Sequence, residues 1–320
     1  MKIASITAFS SLICAAMPAL AWDALPAKNE ATLARSFALP ALGQSRVLTR
    51  GEQMFKFSAD EITEFVIDSN ASESIHLDGE TTKLDFAYRR GWADDLEFTA
   101  ELPIYIVGGG FMDGFIQNWH RWFGLPNGGR ETVADNQRSY TYARGGTTLL
   151  NENGSATTLG DLELGLGWQS NEHLAIRGLL KLPTGDDRHL TGGNLGAAVW
   201  ADWALPFAAQ SSWDGFVSGG LSAAKRSDVL SSLQKTYAAF GGAGIGYDLT
   251  QNLQAFTQVY AHSALYENTD LDALRKPGLQ LTAGGRYRVS PTTSFEMYFQ
   301  EDPIVSSSPD FSIHIGLTVR

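Results

Sequence analysis

From residue 73 onward the chain alternates apolar and polar side chains with a period of two. Across 161–169 (DLELGLGWQ), Leu162, Leu164, Leu166 and Trp168 share one face, and Glu163, Gly165, Gly167 and Gln169 share the other. After a short Ser170-Asn171-Glu172 turn, Leu174, Ile176, Leu180 and Leu182 continue the apolar face opposite Arg177 and Lys181. The pattern recurs across 279–289 and closes the chain, with Phe311, Ile313, Ile315, Leu317 and Val319 set against Ser312, His314, Gly316, Thr318 and Arg320. Sustained alternation is the signal of strands with two unlike faces. It predicts strands at 53–68, 73–90, 96–107, 161–169, 173–183, 194–205, 215–224, 236–249, 253–265, 278–289, 294–301 and 310–320.

A water-soluble sandwich would alternate in the same way. Three features favour a membrane. The strands are about ten residues long, which suits a tilted strand crossing a bilayer. Their polar face is rich in Gly, Ala, Ser and charges, as a wet lumen would be. The turns alternate between tight (169–172, 248–252, 289–292) and long and polar (184–193, 225–233, 266–276). Short periplasmic turns and long outer loops belong to bacterial barrels. The expected fold is therefore all-β, a transmembrane antiparallel β-barrel of about twelve strands with both termini in the periplasm. Trp92, Trp168, Tyr247 and Tyr287 lie beside tight turns, and Trp203 and Trp213 flank another connection, which suggests an interfacial aromatic girdle.

One stretch breaks the period. With strands at 96–107 and 161–169, everything from 108 to 160 becomes a single outer loop. It contains a predicted amphipathic helix over 111–123, with Phe111, Phe115, Trp119, Trp122 and Phe123 on one face. Gly124 suits a left-handed cap and Pro126 a stop. A hairpin is expected to follow, 138–143 and 147–151 around Gly145-Gly146. The helix has three possible placements: flat in the outer leaflet, folded inward as a lid, or packed on neighbouring loops.

The first 21 residues, MKIASITAFSSLICAAMPALA, read as a secretory signal peptide cleaved after Ala21. Cys14 is the single cysteine, so the exported chain would have neither disulfides nor thiol ligands. Loss of Lys2 reduces 24 basic residues to 23 against 35 acids, a net charge of −12, and no basic block points to nucleic acid. Residues 22–50 precede the barrel (51–320) and include the moderately apolar Phe37-Ala38-Leu39-Pro40-Ala41-Leu42-Gly43. They are either a periplasmic segment or a lumen plug.

The lumen face carries both signs. Asp85, Glu97, Glu101, Glu163, Asp202 and Glu296 provide acids, and Lys83, Arg89, Arg177, Lys181, Arg286 and Arg288 provide bases. Such charges either mark a solute path or pair to brace the wall. Asp186-Asp187-Arg188-His189 is a weak divalent-ion candidate outweighed by a solvated loop. Gly242-Ala243-Gly244-Ile245-Gly246 mimics a dinucleotide loop without its strand–helix context. His314 with Ser294 or Ser312 is the best hydrolase candidate, yet Ser312 on the same strand sits about 7 Å away. No enzyme, metal or cofactor is expected.

Several segments resemble a family of uncharacterised Gram-negative outer-membrane proteins, catalogued as domain of unknown function 3187. They are LDGET at 77–81, ELPI at 101–104, GGGFMDGFIQNWHRWFGLPNGGR at 108–130, and 160–183 with its KLPTGD continuation to Asp186. The resemblance implies an outer-membrane barrel and brings no established activity. Barrel proteins commonly end in an aromatic residue read by the assembly machinery, whereas this chain ends Val319-Arg320. The expected function is a passive channel or transporter for small solutes, apolar ones included, gated by the loop helix. The alternatives are a structural or surface-interaction barrel with a closed lumen and a membrane-embedded hydrolase. Expected partners are outer-membrane lipid, the barrel-assembly machinery and an unidentified small solute.

Overall fold

The computed structural model describes residues 23–124, 128–208, 210–303 and 307–320. The expected signal peptide and the Pro126 helix stop lie outside them. The strands are β1 (Gln53–Ser69), β2 (Glu73–Gly91), β3 (Leu96–Gly108), β4 (Ser139–Arg144), β5 (Thr147–Glu152), β6 (Ala156–Leu159), β7 (Leu162–Asn171), β8 (Leu174–Leu182), β9 (Gly196–Ala204), β10 (Trp213–Ala224), β11 (Tyr237–Asp248), β12 (Leu253–His262), β13 (Gly278–Ser290), β14 (Thr293–Glu301) and β15 (Phe311–Val319). Twelve of these fifteen form a closed antiparallel ring. Its seam joins the first strand to the last, from Phe55 opposite Val319 to Thr63 opposite Phe311. Closure pairs the backbone of every wall strand on both sides, the requirement for strands in lipid.

The alternation sorts the side chains as expected. Phe57, Phe86, Leu166, Ile176, Val217, Leu221, Met297 and Ile315 stand exposed on the outer wall, while their neighbours point inward. Trp92, Trp168, Trp203, Trp213, Tyr247 and Tyr287 are exposed beside the periplasmic turns. The Trp213 and Tyr247 rings lie 4.6 Å apart across β10 and β11. Rings that are part apolar and part polar are suited to this interface. Among the described residues, no helix is long and apolar enough to cross a membrane.

The first hairpin is longer than the others. β1 and β2 have 17 and 19 residues, well beyond the roughly ten needed to cross. Their outer ends stand above the membrane, where β4 extends the sheet from β2, β5 pairs with β4, and β6 borders β3. The predicted loop hairpin is thus β4–β5. The helix α1 spans Asp113–Phe123, two residues shorter at its start than expected. Its start is set by Glu80, which reaches out from β2 to accept the amides of Phe111 and Met112 at 2.7 and 2.6 Å. Gly110 permits this approach, because its φ is +70° and a Cβ there would lie 1.8 Å from the Glu80 carboxylate.

Residues 23–50 run inside the ring. They ascend from the periplasmic end, form a short 3-10 turn at Thr32–Ser36 near the outer end, and descend to β1. The two limbs touch where the Ala24 amide donates to the Gly43 carbonyl at 3.2 Å. Gly43, at φ +82°, is pressed between Ala24 and the inward Phe216, and a Cβ there would meet the Ala24 Cβ at 2.4 Å.

Candidate functional site

The lumen changes character along its axis. At the outer end, Leu33 and Phe37 of the N-terminal segment join Leu230, Leu233, Leu265, Tyr266, Leu271 and Leu274 from the outer loops in a dry cluster. Phe37 meets Tyr266 edge to face at 5.8 Å, and the Tyr266 hydroxyl donates to the Leu33 carbonyl at 2.9 Å. Asn194 Nδ2 donates to the Ser36 carbonyl at 2.7 Å. At the periplasmic end the lumen widens into a cavity of about 530 Å³. It is lined by residues including Asp23, Lys56, Asp60, Arg286, Arg288 and Arg320. The cavity reaches mid-lumen at Lys28, Lys83, Glu101 and His314.

Of the twelve wall charges placed in the lumen by the alternation, eleven carry an ion pair with an opposite charge among the described residues, and Arg288 does not. On one side, Glu97 receives Arg89 at 3.0 Å and Arg177 at 2.5 Å, and Arg177 also reaches Asp202 at 3.3 Å. Glu97 and Asp202 are completely buried. Across the lumen, Glu296 receives Arg286 at 2.8 Å and also Lys56. Deeper in, Lys83 lies 3.7 Å from Asp85 and 3.6 Å from Glu101, and Lys181 pairs with Asp161. Arg288 stands exposed at the mouth, donating to the Gln251 carbonyl at 3.3 Å.

The N-terminal segment completes these networks. Lys28 bridges Glu101 and Glu163 at 3.3 and 3.2 Å, Glu30 takes Lys83 at 2.9 Å, and Asp23 takes Arg89 at 3.1 Å. Its backbone is held as well. The Gly43 amide donates to Asp202 and the Leu48 amide to Glu97, each at 2.8 Å. Arg177 donates to the Gln44 and Arg46 carbonyls at 2.9 and 3.0 Å, and Arg286 to the Asp23 carbonyl at 2.7 Å. Carboxylates and guanidiniums of the wall thus satisfy backbone groups that a buried irregular segment would otherwise leave unpaired. Periodicity identifies the wall side chains but carries no signal for Lys28, Glu30 or Asp23, whose segment does not alternate.

The aromatic helix lies elsewhere. Met112, just before α1, and Ile116 within it bury against Phe311 and Ile313 on the outer face of β15, and the Trp119 ring lies tilted against Phe299 and Phe311 at 6.4 and 6.0 Å. Phe111, Trp122 and Phe123 remain largely exposed, and Phe115 partly so. The expected lid position is therefore not the one adopted. The outward aromatics of β14 and β15 give the apolar side of the helix a surface on the wall, while the outer end of the lumen is already occupied by the N-terminal segment. Residues from the resembling segments anchor this loop. Arg130 binds Asp113 and reaches Asp310 at 2.6 Å, and its guanidinium lies 4.9 Å above the Phe65 ring. Asp113 also takes the Asn136 amide at 2.6 Å. The acid–base spacing within GGGFMDG…NGGR was the available signal for this anchor.

The remaining motifs have structural explanations. His314 Nδ1 meets Asp60 at 2.6 Å, Nε2 meets Glu296 at 3.3 Å, and the ring stacks on Tyr298 at 4.2 Å. Ser312 instead donates to Gln300 at 3.4 Å, so neither histidine nitrogen is offered to a serine. Gly242 and Gly244 sit in β11, where Leu42 and Phe216 press close. Asp186 accepts the Arg188 amide at 3.0 Å and meets His189 Nδ1 at 2.9 Å, closing its own loop. Among the described residues no cluster of three possible metal ligands occurs.

A closed ring of twelve antiparallel strands, apolar outside and charged within, defines an outer-membrane β-barrel. The chain belongs to the family described as a protein of unknown function (DUF3187), whose model matches residues 3–320. In fold it is similar to an outer membrane channel from Pseudomonas putida F1, at a TM-score of 0.55 and 14% identity, covering 87% of this chain and 98% of that one. The toluene transporter TbuX of Ralstonia pickettii follows at 0.44 and 10%, covering 88% and 91%, a similarity too low to add to the fold assignment. No curated protein matches in sequence.

Proposed function

We propose that this protein is a passive channel of the outer membrane for small solutes, closed by residues 23–49 and opened when that segment withdraws toward the periplasm. The observation that carries the reading is the course of the segment. Both its limbs begin and end at the periplasmic mouth, so it can leave the lumen without threading past any wall strand. Its contacts with the wall are side-chain and backbone hydrogen bonds, ion pairs and two apolar clusters, with no strand pairing to break among the described residues. The similar Pseudomonas putida barrel, itself described as a channel, supports the same reading. The vestibule presents charged groups, which suits polar solutes better than the apolar ones included in the sequence-based expectation. In this reading α1 is a membrane contact: its exposed aromatics meet outer-leaflet lipid, and it does not gate.

Planar-bilayer conductance tests the proposal. Deleting 23–47 is expected to convert a mostly silent protein into one with discrete, frequent openings. A cysteine pair at Ala38→Cys and Gly196→Cys supplies the converse, because a Cβ at Gly196 would lie 3.0 Å from that of Ala38, near disulfide reach. The oxidised pair is expected to stay closed and the reduced pair to behave as the parent. Silence of the deletion variant, with the barrel intact, would sink the channel reading. It would favour the closed structural barrel, to which the dense ion pairing also points.

A further inference from the structure

Most cations buried in this lumen face a carboxylate; Arg35 does not. It sits on the 3-10 turn at the tip of the N-terminal segment, 7% exposed. Among the described residues, none of its three guanidinium nitrogens has a hydrogen-bond partner. Its guanidinium stacks on the Tyr105 ring at 4.5 Å, which occupies one face and leaves the N–H edge free. That residue borders a small cavity of about 30 Å³ between the segment and the wall. The acids around the cavity are already engaged. Glu163 holds Lys28 at 3.2 Å, Glu30 holds Lys83 at 2.9 Å, and Asp161 holds Lys181.

A buried guanidinium without a counter-charge is costly, by several kcal/mol. Ring stacking recovers only a part of that, and water supplies an acceptor but no charge. The cavity exceeds the roughly 10–15 Å³ that one water needs, yet it is far too small for a sugar or a nucleotide. We propose that Arg35 and this cavity form a binding site for one small monovalent anion of the halide class, which neutralises the tip of the N-terminal segment when it is seated. The site is independent of the channel reading, since a permanently closed barrel would need the same counter-charge.

Bromide is the probe. Crystals of the full exported chain grown in sodium bromide are expected to give an anomalous peak within hydrogen-bond reach of the Arg35 guanidinium. Thermal unfolding of the detergent-solubilised protein, in bromide against gluconate at equal ionic strength, is expected to show a saturable rise in Tm of about 2–4 °C. Gluconate is too large to enter. Arg35→Met is expected to remove both the peak and the shift, and to melt above the parent in gluconate. A cavity without an anomalous peak in the parent overturns the proposal, even if Arg35→Met fails to fold. An equal bromide shift in parent and Arg35→Met overturns it too, by showing a nonspecific salt effect.

Discussion

The two ends of the lumen are closed by different physics. At the outer end Phe37 and Leu33 are seated among leucines and Tyr266, with Arg35 and Glu64 buried nearby but, among the described residues, no ion pair holding the turn. Toward the periplasm the same segment is held mainly by ion pairs and charge-assisted hydrogen bonds around a solvent cavity, with only a small apolar cluster of Leu25 and Ala27 against Phe256 and Tyr298. The difference teaches how a removable element can be both secure and specific. The apolar seat supplies attraction without fixing register. The polar ladder costs desolvation and returns little net stability, but it accepts only one alignment of amides against carboxylates. Aromatics on the outside of the barrel show a parallel contrast. The periplasmic girdle is built by wall residues, whereas at the outer rim α1 adds Phe111, Trp122 and Phe123 beside β14 and β15.

The sharpest way to break this comparison is at Glu97. Glu97→Ala leaves Arg89 and Arg177 facing each other, and Leu48 without an acceptor. A loss of about 3–5 kcal/mol is expected, read as a lower urea midpoint in detergent and as protease cleavage within 23–50. Unchanged protection of that segment would mean the polar ladder does not hold it. A somewhat smaller effect is expected at the apolar seat. Phe37→Ala should cost about 3 kcal/mol and, unlike Glu97→Ala, should be insensitive to ionic strength. A salt-dependent loss there would erase the distinction between the two ends.

The smallest effect concerns the outer loop between β8 and β9. The hydrogen bond from His189, aided by the Arg188 amide and charge, holds the Asp186 carboxyl below the usual carboxylate range. A depressed carboxyl stabilises the loop above its unfolded value, and that contribution is lost as pH falls through the depressed value. The protection of the Arg188 amide, its exchange rate relative to the intrinsic rate at the same pH, should therefore fall in strong acid. Asp186→Asn should remove the acid response.

Period-two alternation made the wall legible. A strand's two faces are assigned by adjacent residues, so Glu97, Arg177 and Glu296 could be placed in the lumen without knowing any strand pairing. The loop hairpin at Gly145-Gly146 and the helix around Trp119 were legible for the same local reason. The position of α1 was not, because an amphipathic helix specifies an apolar side but not which surface will cover it. Outward Phe299 and Phe311 supplied that surface, and they become its neighbours only when β14 and β15 meet β1 and β2 at the seam. Glu80 and the Arg130–Asp113 pair were similarly hidden, since their roles depend on a loop folding back over the wall.

The amino-acid order alone determined a twelve-strand wall with one side for lipid and one for charge, because each strand's pattern is written within about ten consecutive residues. Only the tertiary structure decided that residues 23–50 fill the interior, which carboxylate serves which cation, and that the aromatic helix lies outside. Many of the contacts that set those outcomes join residues a hundred or more positions apart. Lys28 with Glu163 and Asp60 with His314 are examples. Ring closure brings such partners together, and no local period encodes it.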